Sequence, residues 1–152
     1  MLARDWFEKI RADVLEVAKM EQRVEELRSS CGPRTGTFGG GAVFSPSRVT
    51  TQDLLVDAES ELELRKMSLR ANLDRACAVL YGRDGRGGIA RLRGSAAADS
   101  IHGYYLQGMS WSEVASELVK PESKDAAQWC KRAAYRAIGY VDEVGMYALM
   151  DI

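Results

Sequence analysis

The chain has 152 residues, a length that suits one domain or a small domain with a long helical appendage, and its hydrophobic fraction of 46% excludes wholesale disorder. A formal net charge of -1 gives no global signal for nucleic acid or membrane, but the charge is unevenly spread. Residues 81–139 carry nine Lys/Arg against six Asp/Glu, whereas residues 140–152 carry three acids and no base.

Cys31, Cys77 and Cys130 are widely spaced and contain no C-x-x-C pair, which argues against a zinc ribbon and against a disulfide framework. No apolar run approaches the ~18 residues of a membrane span, and the acids Asp5 and Glu8 break any secretory signal at the start. The expectation is a cytoplasmic protein with reduced thiols, no membrane partner, and no metal or cofactor.

Residues 2–29 read as one long helix. Trp6, Ile10, Val14, Val17, Met20, Val24 and Leu27 recur at three- and four-residue steps, a narrow seam of the coiled-coil kind. Residues 31–50 hold five glycines and two prolines and are expected to form a reversing loop. Gly39-Gly40-Gly41 lacks the following Lys-Ser/Thr and the preceding strand of a phosphate loop. Thr50 or Thr51 then caps a second helix, with Asp53 near its positive end, running to Leu80 through Leu55, Ala58, Leu62, Leu69, Leu73 and Ala76. Two helices of similar length predict an antiparallel hairpin over residues 1–81, closed on itself or zipped to a second copy. Residues 82–94 mix five glycines with four arginines and read as a solvated connector, or as a basic arm touching phosphate.

Short helices follow from Ser95. One carries Ile101, Tyr104, Tyr105 and Leu106 and ends at Gly108. Ser110 caps the next, with Glu113 completing a capping box and Trp111, Val114, Ala115 and Leu118 as its apolar face. Pro121 ends that helix in a turn, and Ser123 is expected to cap a third with Ala127, Cys130, Ala134 and Ile138 inside. Its outer face presents Lys124, Asp125, Gln128, Lys131, Arg132, Tyr135 and Arg136. Helix, turn, helix with a basic outer surface is the layout of a helix-turn-helix whose second helix enters the major groove. The fold class expected is therefore all-α, a coiled-coil hairpin followed by a three-helix helix-turn-helix domain over residues 95–152, with its acidic tail.

The run Tyr104-Tyr105-Leu106-x-Gly108-x-Ser110-Trp111-x-Glu113-Val114-Ala115-x-x-Leu118 resembles the region-4-like helix-turn-helix of sigma factors. It is similar, more closely, to small phage and prophage regulators of the RinA and ArpU type. A related uncharacterised prophage family shares the whole layout of coil, Gly-rich loop, second coil helix and this motif. The resemblance implies a DNA-binding transcriptional regulator of phage or prophage origin. In those families the turn between the last two helices is shorter than Val119–Glu122 here.

The DNA-binding candidates are Lys124, Asp125, Gln128, Lys131, Arg132 and Arg136. Gln128 can pair bidentately with adenine, and the cations suit phosphates. Trp111 reads as a core anchor, and Tyr104 and Tyr105 as one inward and one surface ring. Trp129 lies off the apolar face, where it could cover the hairpin, fill a dimer interface or meet DNA; packing is the favoured reading. His102 has no Cys or paired carboxylate near it in sequence, and Glu59, Glu61 and Glu63 fan around a helix surface, so no catalytic site is expected. The partners expected are double-stranded DNA, RNA polymerase, and a second copy bound through the N-terminal helices. The rival readings are a protein-interaction module that touches polymerase, and a phage packaging component of the small-terminase kind.

Overall fold

The computed structural model describes residues 1–31 and 50–152, so the Gly-rich loop expected over 31–50 lies outside the described residues apart from its two ends. Among the described residues the chain is all helical, without strands. The helices are α1 (Ala3–Ser30), α2 (Thr51–Tyr81), α3 (Gly88–Arg93), α4 (Ser95–Ile101), α5 (Trp111–Glu113), α6 (Ala126–Val144) and α7 (Met146–Met150). Two of them run on into wider, π-helical turns, α4 through His102–Leu106 and α5 through Val114–Val119.

The described residues form two compact units. One is Glu16–Met67, made of parts of α1 and α2. Its seam consists of the buried Val17, Val24 and Leu62, with Met20, Leu27, Leu55 and Ala58 half-buried. Ion pairs Arg28–Glu59 (3.0 Å), Lys66–Glu21 (3.0 Å) and Arg65–Glu16 (3.5 Å) show that the two helical stretches are antiparallel and pair within one chain. All six side chains are about half exposed, so these pairs set register more than stability. Thr50 and Asp53 start α2 with a reciprocal cap: the Thr50 hydroxyl accepts from the Asp53 N–H, and the Asp53 carboxylate accepts from the Thr50 N–H, both at 3.2 Å.

The other unit joins Met1–Leu15 to Ser68–Ile152. This division differs from the boundary expected at residue 81, and the reason is residue size at the start of α1 and the end of α2. Phe7 sits beside the Trp6–Ile10 seam and is fully buried, as are Val79 and Leu80 at the end of α2. They widen both helix faces into globular-core faces. The core is completed by Ile89, Ile101, Tyr105, Val114, Cys130, Ala134, Val141 and Leu149. The first turn of α1 is capped from far away in sequence, since the Ala3 N–H donates to the Asp142 carboxylate at 2.7 Å.

The connector expected over 82–94 is instead a tight corner and a helix. The Gly87 N–H donates to the Tyr81 carbonyl at 2.7 Å, and Ile89 is fully buried. Gly88 has a φ of +64°, and a Cβ there would lie 2.5 Å from the Val79 carbonyl oxygen. The glycines permit close backbone approach, which composition alone does not distinguish from a flexible linker. The C-terminal residues close the same corner: the Arg83 N–H donates to the Met150 carbonyl at 3.2 Å, and its guanidinium pairs with Asp151 at 3.2 Å.

Tyr81 donates to the Asp99 carboxylate at 2.7 Å and meets the His102 ring edge-on at 5.9 Å, tying α2 to α4. Burial and the Asp99 carboxylate both push the Tyr81 phenol well above its ordinary range. Burial lowers the His102 imidazole below 6.5, against the opposing pull of Asp99.

Two outcomes follow from this corner. Gly88→Ala should cost more than about 2 kcal/mol in urea unfolding, from backbone clash added to the left-handed strain. Gly85→Ala, at a φ of +77° with open space around it, should cost about 1 kcal/mol. Equal losses at both would contradict the close approach. For His102 the unfolded chain binds the proton first, so stability is full above 6.5 and falls as pH drops toward the lowered folded value. The urea midpoint should decline as pH falls below 6.5, and His102→Gln should flatten that decline.

Candidate nucleic-acid interface

Three helical segments build this region: α4 with its π-helical extension, α5 with its own, and α6. The first two cross closely because position 103 has no side chain. A Cβ on Gly103 would stand 2.6 Å from Leu118 Cδ1 and 2.9 Å from Val114 Cγ2. The capping box expected at Ser110 is present: its hydroxyl accepts from the Glu113 N–H at 3.2 Å, and Glu113 accepts from the Ser110 N–H at 3.1 Å. Val114, Ala115 and Cys130 form the buried contact between α5 and α6, with Tyr104, Met109, Trp111 and Val119 packed around it. Burial pushes the Cys130 thiol up, so it acts as a small apolar group. Leu118, expected on the same face, is 41% exposed at the rim.

The aromatic residues order this core. Tyr105 is fully buried while Tyr104 is half-buried, the split expected of the pair. Tyr104 stacks flat on Trp111, with centroids 4.0 Å apart and planes 6° apart. The Arg11 guanidinium of α1 lies 3.7 Å from the Tyr104 ring centroid on the other side of this stack's tyrosine and donates to the carbonyls of Tyr104 and Met109. The Tyr104 carbonyl lies in the last turn of the α4 extension, where intrahelical partners run out, and the Met109 carbonyl lies in the link to α5.

The turn into α6 is longer than expected. The Lys120 N–H reaches back to the Ala115 carbonyl at 2.9 Å, and Lys120 itself takes the left-handed conformation, φ 45°. Ser123, the expected cap, donates its N–H to the Pro121 carbonyl and belongs to the turn. Asp125 caps instead, its carboxylate accepting from the Gln128 N–H at 3.3 Å. The turn after Val119 runs through Ser123 and Lys124 to Asp125, so α6 starts two residues later than a Ser123 cap would give. Lys124 and Asp125 therefore precede α6 and do not lie on its outer face.

Gln128, Arg132 and Arg136, at successive four-residue steps, are exposed on one row of α6. They line one groove together with Asp125, Trp129 and Ala133. Lys131 is not brought to that row: it is half-buried, with its ammonium 5.7 Å from the Tyr135 ring that Arg4 also approaches at 4.6 Å. Trp129 is 40% exposed and borders both this groove and a second one shared with Arg93 of α3. Among the described residues, Lys124, Arg132, Arg136 and Arg93 form no ion pair with a carboxylate. Arg93 belongs to the stretch that also reads as a basic arm touching phosphate, but its place at the end of a helix is masked by the glycines around it.

No protein-family model, curated protein or solved structure matches the chain.

Removing the Arg11 side chain should disturb the support of this region without touching its exposed row. Arg11→Ala is expected to lower the unfolding free energy by about 2–4 kcal/mol, the sum of charged hydrogen bonds and a ring contact. Arg11→Lys should recover only part, because an ammonium lacks the planar fork. A loss below about 0.5 kcal/mol, the size of an ordinary surface change, would refute this role.

Proposed function

We propose that the chain binds double-stranded DNA through the exposed row of α6 and acts as a transcriptional regulator of phage or prophage origin. The observation that carries the reading is the unpaired polar row Gln128–Arg132–Arg136 on the last helix of a three-helix helix-turn-helix layout. Gln128 is the base reader of this scheme, its amide matching the adenine edge, while Arg132 and Arg136 hold phosphates. Asp125 serves by starting the helix, and Lys124 lies just ahead of it. The capping box and the resemblance of residues 104–118 to sigma-like and phage regulators support the same reading. No catalytic step is assigned to it.

Dimerisation belongs to the same proposal, because a single small helix-turn-helix buries little surface on DNA. The seam of the hairpin is occupied within the chain. The second copy would therefore use the outer side of α2, where Val56 is 57% exposed and Leu64 and Met67 are each 69% exposed.

Trp129 favours a second reading. An exposed indole at the centre of a polar helix face is also the kind of anchor that protein interfaces use, and RNA polymerase is the partner in that case.

The test is binding of the full chain to its own upstream DNA and to random duplex across a salt series. Selective, steeply salt-dependent binding is expected. Gln128→Ala should cost about 1–3 kcal/mol on the upstream site and relax selectivity, and Arg132→Ala should lower the salt slope by roughly one unit. Lys131→Ala should leave the slope unchanged, given its place against Tyr135. Absence of duplex binding together with retention of polymerase would replace this reading with the interaction module. A ring-sized oligomer in light scattering would point to the packaging role.

A further inference from the structure

We propose that Arg93 of α3 and Arg136 of α6 clamp one backbone phosphate beside α6, with the Trp129 indole N–H as a third donor; this rests on the duplex-binding reading above. The two arginines and the indole border one cleft whose floor is formed by Ala96, Ala97 and Ala133. Small side chains keep the cleft open, and among the described residues no carboxylate lines it, unlike the neighbouring groove that contains Asp125. The Arg93 guanidinium lies 4.2 Å from the centroid of the Tyr140 ring, which holds an otherwise long and mobile side chain in place. Two arginines bordering one cleft of small side chains suit an oxyanion with several acceptor oxygens. Trp129, Ala133 and Arg136 border both grooves, so the clamp shares Arg136 with the row of Gln128 and Arg132. The clamp positions α6 and carries no sequence information.

The bland alternative is that Arg93 only offsets the C-terminal dipole of α3, together with Arg91. The full chain is titrated against a random-sequence duplex across a salt series, using Arg93→Gln, Arg136→Gln, the double variant, and Arg91→Gln as the control outside the cleft. Each clamp variant should lower the salt slope by roughly one unit, and the double by roughly two, with equal effect on every sequence. Arg91→Gln should not change the slope. Melting temperature is read alongside, since a purely structural Arg93 would move stability and leave the slope alone. That result, or equal slope losses for Arg91→Gln and Arg93→Gln, overturns the clamp. Should the wild type fail to hold duplex, inorganic polyphosphate is the probe, followed as the fluorescence difference between wild type and Trp129→Phe. Binding lost in Arg93→Gln and Arg136→Gln keeps the clamp while the DNA reading falls; no binding overturns both.

Discussion

A helix that ends beneath other helices leaves carbonyl groups with no partner, and the cost of burying them unpaired is about 1–3 kcal/mol each. The α4 segment meets this problem where its π-helical extension runs out at Leu106. Arg11 resolves it from α1, donating to the Tyr104 and Met109 carbonyls while its guanidinium covers the Tyr104 ring. The flat Tyr104–Trp111 stack then carries the same contact into α5, and Trp111 meets Tyr135 of α6 edge-on at 6.2 Å. One cation thus sits at the head of a chain of contacts that reaches all three helical segments. The orientation of α6, and with it the exposed row, depends on a residue more than one hundred positions earlier.

Local chemistry was legible in the sequence wherever it involved neighbours in the chain. The capping box at Ser110 and Glu113 rests on a fixed three-residue spacing, as does the Thr50–Asp53 cap. The hairpin seam was legible because Val17, Val24 and Leu62 fall on a period that helix geometry dictates. The partner of Arg11, the Asp142 cap of α1 and the fully buried Phe7 were not legible. Each depends on a contact between distant segments, which no local pattern encodes. The corner at 82–94 failed for a related reason. Glycine serves equally where a chain must be flexible and where two backbones must nearly touch, and only the Val79 carbonyl beside Gly88 separates the two uses.

The candidate site was legible as a face and not as a set. Gln128, Arg132 and Arg136 share one row because four-residue steps keep them there. Lys131 leaves it because a three-residue step from Gln128 turns toward Tyr135. Lys124 and Asp125 leave it because the turn ends later than Ser123. That shift arises in the turn after Val119, where Lys120 takes the left-handed conformation and Ser123 bonds back to Pro121. Of the acids of residues 81–139, Glu113 and Asp125 cap helices and Asp99 accepts from Tyr81, while the arginines of the row remain unpaired among the described residues.

The small residues that allow the three segments to cross also limit what their own contacts contribute. Gly103, Ala115, Cys130, Ala134 and Ala137 occupy the crossings, and a buried methylene is worth only about 0.8 kcal/mol. The large buried side chains come in good part from outside: Phe7 and Ile10 from α1, Val79 and Leu80 from α2, Ile89 from α3 and Leu149 from α7. A unit of three helical segments built on close crossings is therefore not self-sufficient here, and the ends of the two long helices complete its core. This accounts for a compact unit that takes in Met1–Leu15 and everything from Ser68 onward, where motif reading alone would begin the domain at Ser95. Close approach of the helices and borrowed core residues are two consequences of one choice of small side chains.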